Sequence, residues 1–274
     1  MGNESRAQGG RRQKRWSRTK PPRVRAFGIP LLALCVVGGA SDPAFAHRDD
    51  YLNETFVFET LEAGEFEPEV FVDSGWRTGG GDSFRAYALG FEYGLTHRWM
   101  IDGFAGWRDP AGGKLFFQRF RTEGRHRFGE EGDRSVDVAV SFEAEYEREE
   151  EASEPAVGPM SEESAWIFKP RLILSRDLPQ GFNLTLNLDL GGEVRSHRLD
   201  RWTPRYALAA RYPEESTLRY GVEFRQDFGE ERSTLLVPQV WLALPREATF
   251  KLGTGLDVDG TRKQGTLCEA GLRD

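Results

Sequence analysis

Between Gly181 and Arg195 the chain reads GFNLTLNLDLGGEVR, in which Phe182, Leu184, Leu186, Leu188 and Leu190 alternate with Asn183, Thr185, Asn187 and Asp189. Period-two alternation puts successive side chains on opposite faces of an extended strand, one apolar and one polar. The run is longer than most strands of soluble sandwiches. It matches the roughly nine to eleven tilted residues that cross a bilayer with lipid on one face and a polar lumen on the other. The same pattern, interrupted by turn residues, recurs to the end of the chain. It predicts strands at 66–76, 84–93, 99–108, 114–128, 135–147, 166–175, 181–195, 202–212, 217–228, 235–244, 248–258 and 264–273. The expected fold is all-β: an antiparallel up-and-down transmembrane β-barrel of about 12 strands. Alternation is weakest in the second and third strands, whose faces the pattern leaves open.

The connections divide into two sets. GLTH (94–97), GEEGDR (129–134), DLPQG (177–181), PEES (213–216) and PRE (245–247) fall at one end of the strands. The other set contains the long acidic stretch REEEASEPAVGPMSEES at 148–164. With a periplasmic N-terminus, short turns face the periplasm and the acidic loop faces outward. Residues 47–65 are then a periplasmic lead-in to a barrel spanning 66–274. Glu54 to Phe58 has a slight likeness to the energy-coupling box of outer-membrane transporters. Those proteins need a plug domain and a much larger barrel, for which this chain has no room.

Aromatic residues cluster at predicted strand ends: Trp76, Trp99, Trp107, Trp166, Trp202, Phe182 and Tyr212, joined by Phe128 and Phe228. Amphipathic rings favour the headgroup level, so these positions are read as girdles. Trp241 alone falls mid-strand on the face that points inward.

The chain has 274 residues, 38% hydrophobic and 30% charged. That suits a barrel, because only alternate strand residues need to be apolar. No apolar run reaches the roughly 18 residues of a membrane helix. Residues 1–46 read as a signal peptide: a basic region, the apolar run AFGIPLLALCVVGGA, and Ala44-Phe45-Ala46 as the cleavage site. Removing it takes away 9 of 37 Lys/Arg and 2 of 44 Asp/Glu, leaving 28 against 42 and a net charge of −14. An acidic mature chain argues against nucleic acid as a partner. The expected location is the outer membrane, with lipid and the barrel-assembly machinery as partners. Of 2 cysteines only Cys268 survives cleavage, so no intrachain disulfide is expected.

Inward faces of the predicted strands carry charge. One row holds Arg119, Arg121, Glu123, Arg125 and Arg127; the next holds Asp137, Glu143, Glu145 and Glu147. With their turn centred near Glu131, Arg125 faces Asp137 and Arg119 faces Glu143, pairs that stabilise adjacent strands. Lys169, Arg171, Asp189, Glu193, Arg205, Arg211, Arg219, Glu223, Arg225, Asp227, Lys251 and Asp257 complete the lumen candidates. Two functions suit such a lining. It can select small solutes in a narrow channel, or it can be a salt-bridged filling of a non-conducting structural or surface-interaction barrel.

Catalytic signals are poor. Outer-membrane lipid hydrolases carry Ser and His two apart, on one face of a strand; none of His47, His97, His126 and His197 has Ser at that spacing. Ser196 and His197 are adjacent and would point to opposite faces. A lipid hydrolase therefore stands behind both barrel readings, and no enzyme, cofactor or metal site is expected. His47, Asp49 and Asp50 are ligand types on what reads as a solvated tail.

Glu92-Tyr93-Gly94-Leu95-Thr96-His97-Arg98-Trp99 resembles the strand-turn-strand phrase EYGLTDR of Gram-negative outer-membrane barrel proteins grouped with the MetA pathway of phenol degradation and similar transporters. The resemblance covers eight residues, with His97 where an acidic residue is usual. It implies a barrel concerned with passage of hydrophobic or aromatic compounds, and assigns no functional residue. Such barrels end in an aromatic residue read by the assembly machinery; here Leu272-Arg273-Asp274 stands in its place.

Overall fold

A computed structural model describes residues 50–271, apart from 53–54, 78–82, 111–113, 150–162, 196–197, 215, 230–231, 246–247 and 259–262. The expected signal peptide, His47, Asp49, most of the acidic loop, Ser196-His197 and the terminal Leu272-Arg273-Asp274 lie outside the described residues. Twelve strands form among those described. They are β1 (Phe66–Arg77), β2 (Ser83–Thr96), β3 (Trp99–Pro110), β4 (Phe116–Arg127), β5 (Asp137–Glu149) and β6 (Glu163–Leu178). β7 (Phe182–Arg195), β8 (Arg198–Tyr212), β9 (Leu218–Asp227), β10 (Ser233–Ala243), β11 (Thr249–Asp257) and β12 (Lys263–Gly271) follow. Each pairs antiparallel with its sequence neighbour, and β1 pairs with β12 to close the barrel. Closure removes the unpaired edges that hydrocarbon would not tolerate.

The burial pattern is inverted relative to a soluble sandwich. Leu89, Phe142, Leu188, Leu208, Tyr220 and Leu252 are exposed on the outer wall, while Arg125, Glu143, Asn187, Glu223 and Lys251 are buried inside. Water-soluble folds place these classes the other way round. The faces of β2 and β3 are now defined. Ala86, Ala88, Gly90 and Glu92 share the inward face of β2, and Met100, Asp102, Phe104 and Gly106 that of β3. Apart from Glu92 and Asp102 these rows are small or apolar, which blurs the alternation.

The β4–β5 register departs from the expected one. Arg119 lies opposite Glu147, Arg121 opposite Glu145, Glu123 opposite Glu143, and Arg125 opposite Ser141. The shift from the expected pairing is four residues. An even shift keeps every side chain on its own face, so the polarity pattern cannot distinguish the two registers. The loop decides: Phe128 N–H still donates to Val138 O at 2.9 Å, and the turn proper forms over 129–136.

A larger departure concerns the lead-in. Within the lead-in expected over 47–65, the described residues 50–52 and 55–61 run inside the barrel. Tyr51, Leu52, Phe56, Val57, Phe58 and Leu61 are each no more than 5% exposed. Ahead of the barrel these side chains have no lipid band to face. Burying each is worth about 1.5–3 kcal/mol, which drives the segment into the lumen. The chain reverses at Gly64 (φ 89°) and then enters β1. Gly64 N–H donates to Gly94 O at 2.8 Å, and Gly94 N–H donates to Glu65 O at 3.0 Å. A Cβ at Gly94 would sit 1.9 Å from the Glu62 carbonyl oxygen, so the reversal packs directly on the glycine of the EYGLTHRW phrase.

Candidate functional site

The lumen is the candidate site, and the N-terminal segment is its main occupant. The segment enters at the end carrying the β2–β3, β4–β5, β6–β7, β8–β9 and β10–β11 turns. Its deepest point is Phe56. There the backbone pairs with a side-chain amide of β7: Phe56 N–H donates to Asn187 Oδ1 at 2.7 Å, and Asn187 Nδ2 donates to Phe56 O at 2.8 Å. Thr55 N–H donates to Glu223 Oε2 at 3.2 Å. The Phe56 ring is surrounded by guanidinium carbons of Arg171, Arg125 and Arg121 at 3.9, 4.6 and 5.7 Å from its centroid. Desolvated cation–π contacts of this kind contribute about 2 kcal/mol or more.

On its other side the segment returns to the short-turn end. Tyr51 meets Trp241 edge-on at 5.5 Å, and its hydroxyl donates to Asn183 Oδ1 at 3.3 Å. Arg211 and Lys251 lie 4.1 and 4.9 Å from the Trp241 ring centre, so Trp241 serves as the platform of this cluster. Leu52 N–H donates to Gln239 Oε1 at 3.2 Å, and a Cβ at Gly253 would stand 2.7 Å from the Leu52 side chain. Asp50 closes the loop. Its carboxylate accepts two bonds from Arg125 at 2.9 and 2.5 Å and one from Val57 N–H at 2.7 Å. Lys251 Nζ donates to the Asp50 carbonyl at 2.9 Å.

Beside the segment runs a network of wall charges. Arg171 on β6 donates to Glu123 at 2.6 Å, to Glu143 at 3.3 Å and to Asp189 at 2.7 Å. Arg205 extends the chain to Asp189 at 2.6 Å. Lys169 holds Glu143 at 2.6 Å and Glu145 at 2.8 Å. The observed register sets Glu123 against Glu143; Arg171 bridges the two, and Lys169 adds a second cation at Glu143. The four-residue register change thus moves the cation partners of Glu143 from β4 to β6.

The lumen residues singled out from sequence fall on inward rows, although they do not form one site. Arg121, Arg125, Glu143, Glu145, Lys169, Arg171 and Asp189 belong to the network or to the Phe56 seat. Glu223 holds the segment backbone, while Arg219 lies 5.6 Å from Trp241. Arg127 binds the His97 carbonyl at 2.6 Å and Glu130 at 3.0 Å at the short-turn end. Asp137 accepts from Gly132 N–H at 3.2 Å in the β4–β5 loop. Arg119 reaches Glu145 at 3.6 Å, Arg225 reaches Asp227 at 3.5 Å, and Glu193 pairs with Arg195. On the outside, Trp99, Trp166, Trp202, Phe182 and Tyr212 are exposed near strand ends, with Phe182 stacked on Tyr212 at 4.2 Å. Trp107 lies opposite the outward Tyr87, whereas the Trp76 side chain is outside the described residues.

Sequence reasoning missed the segment residues Asp50, Tyr51, Leu52, Thr55 and Phe56, and their uncharged seats Asn183, Asn187 and Gln239. Two signals pointed there: the apolar stretch Phe56-Val57-Phe58 ahead of the first strand, and an inward Trp241 with no lipid to face. His126 stands outside the lumen, its Nδ1 3.1 Å from Arg98 O and its ring between Trp99 and Phe128.

A closed, apolar-out, polar-in antiparallel barrel defines the class: an outer-membrane-type β-barrel. The solved structures it is similar to agree on the fold. The COG4313 outer membrane channel from Pseudomonas putida F1 aligns with TM-score 0.54 at 11% identity, over 79% of this chain and 98% of that one. The KdgM porin in complex with disordered oligogalacturonate gives 0.52 at 9% identity, covering 76% and 98%. The NanC porin gives 0.51 at 11%, covering 74% and 98%. No family model and no curated protein matches the sequence.

Proposed function

We propose that this chain is an outer-membrane channel for small solutes, closed at its short-turn end by its own N-terminal segment. The carrying observation is how residues 50–61 are held. Leu52, Thr55 and Phe56 dock through backbone amides on Gln239, Glu223 and Asn187, side chains of the wall. Water in a hydrated lumen can replace each such bond at a net cost of about 0.5–1.5 kcal/mol. A wall closed by a continuous strand ladder, with an occupant seated on its side chains, is what a gate requires. The outer apolar band would face lipid, the exposed aromatics would sit at headgroup level, and the leader would be cleaved after Ala46 on the way to the outer membrane. The similar KdgM porin is seen in complex with disordered oligogalacturonate, but this lumen mixes carboxylates with guanidiniums. A compact solute with apolar surface suits it better than a long polyanion.

A second reading has its own support. The Arg171 side chain and its partners Glu123 and Glu143 are completely buried, as befits a filling that stiffens a non-conducting barrel. Planar-bilayer recording decides between the two. Deleting residues 50–61 should convert a mostly closed protein into one with steady conductance. A deletion variant that folds, as judged by heat-modifiable gel mobility, yet stays silent would establish the filling.

A further inference from the structure

The lumen wall holds the N-terminal segment as it would hold any peptide. Between residues 55 and 59, three wall side chains take up five backbone groups. Asn187 on β7 accepts from Phe56 N–H at 2.7 Å and donates to Phe56 O at 2.8 Å. Opposed residues of antiparallel strands exchange the same two bonds, made here by one side-chain amide. Glu223 on β9 accepts from Thr55 N–H at 3.2 Å. Arg125 on β4 donates to Val57 O at 3.3 Å and to Glu59 O at 3.4 Å. All three side chains are no more than 2% exposed. Backbone contacts of this kind ignore sequence. Sequence is read at the Phe56 ring, seated among the guanidiniums of Arg171, Arg125 and Arg121. Asn187 supplies an independent observation. Among the described residues both its hydrogen bonds go to Phe56 and none to the wall, so this buried amide is placed for an occupant.

From this arrangement we infer that the seat of residues 55–59 is the solute site of the channel, that the solute is a short peptide carrying an aromatic side chain, and that the segment occupies the site as a tethered competitor. The inference rests on the channel reading and names its solute class. No void has to accommodate the solute, because the site is as large as the residues that leave it. No charge has to come with it either. Arg171 keeps Glu123, Glu143 and Asp189 as partners on the wall whether the segment is seated or withdrawn. What the guanidiniums offer is attraction to an aromatic face, which a saturated ring of the same size lacks. Asn187 adds the second requirement, an N–H and a C=O spaced as on one peptide residue. An aromatic hydrocarbon meets the first requirement only, and a peptide without a ring meets the second only.

The blocked tripeptide acetyl-Thr-Phe-Val-amide copies residues 55–57 without terminal charges and tests the assignment on the full mature chain in detergent. The readout is the rate at which a maleimide labels Val57→Cys in a Cys268→Ser background, position 57 being 1% exposed when the segment is seated. The peptide should speed labelling at least about tenfold, half-maximally near the effective concentration of a short tether, about millimolar. Two analogues remove one requirement each: cyclohexylalanine in place of the phenylalanine, and N-methylphenylalanine, which lacks the N–H that Asn187 accepts. Each should need about tenfold more peptide for the same effect. Phe56→Ala weakens the competitor and leaves the wall unchanged. By calorimetric titration it should bind the parent peptide at least about tenfold more tightly than the wild type does. No acceleration, equal acceleration by all three peptides, or unchanged affinity in Phe56→Ala would overturn the assignment; heat-modifiable mobility shows that the barrel stays folded throughout. Conductance of the variant lacking 50–61 reads the channel separately. Conductance without displacement by the peptide would keep the channel and remove its proposed solute, whereas displacement without conductance would remove the channel and leave the peptide seat standing.

Discussion

The Arg171 guanidinium carbon lies 3.9 Å from the centre of the Phe56 ring, while its nitrogens hold Glu123, Glu143 and Asp189. One wall residue therefore both ties β6 to β4, β5 and β7 and caps the tip of the N-terminal segment. Stability of the wall and seating of the segment share this contact, and substitutions on the two sides of it should separate them.

Phe56→Ala removes the ring and leaves the wall network whole. The loss of ring burial and of its cation contacts, about 3–5 kcal/mol, should fall on segment seating. Single-channel recording should show a large rise in open time, with the unfolding midpoint of the barrel changed little. Unaltered gating would mean that Phe56 does not hold the segment.

Arg171→Met acts on the other side. It leaves the carboxylates of Glu123 and Glu143 opposed on adjacent strands with their shared cation gone. Stripping one partner from a buried ionic cluster costs about 3–5 kcal/mol. Urea unfolding in detergent should show a clear drop in midpoint, partly restored when Glu123→Gln is added. No restoration by the second substitution would indicate that the loss arises from packing alone.

Tryptophan positions give a test of membrane placement. In single-tryptophan variants reconstituted with brominated lipid, Trp166 and Trp202, exposed on the outer wall, should be quenched. Trp241, wholly buried in the lumen, should not. Quenching of Trp241 to the level of Trp166 would invert the assignment of faces.

The β4–β5 register can be read by cross-linking in a Cys268→Ser background. Thr122 stands opposite Ala144, so cysteines at these two positions should oxidise to a disulfide. Cysteines at Thr122 and Val140, opposed in the register expected from sequence, should not. The four-residue offset puts them about 13 Å apart along the strand, beyond disulfide reach. Efficient bridging of the second pair would restore the shorter turn.

Alternation along 181–195 and its repeats was enough to determine the barrel, its approximate strand boundaries and, outside β2 and β3, which residues point inward. These follow from the chain's local period of two and from the solvent on each face, so no distant contact is needed to read them. The EYGLTHRW phrase marked a turn, but not that its glycine is the surface on which the N-terminal reversal packs. What pairs with what inside the barrel was another matter. Glu123 opposes Glu143 because loop length at 128–136 sets an even register shift invisible to polarity, and Arg171 becomes their partner only once β6 is laid beside β5. The N-terminal segment was hidden for a related reason. Phe56, Val57 and Phe58 announce a need for burial, whereas Asn187, Gln239 and Trp241 supply it from strands more than a hundred residues away. Only closure of the sheet brings those groups around one lumen.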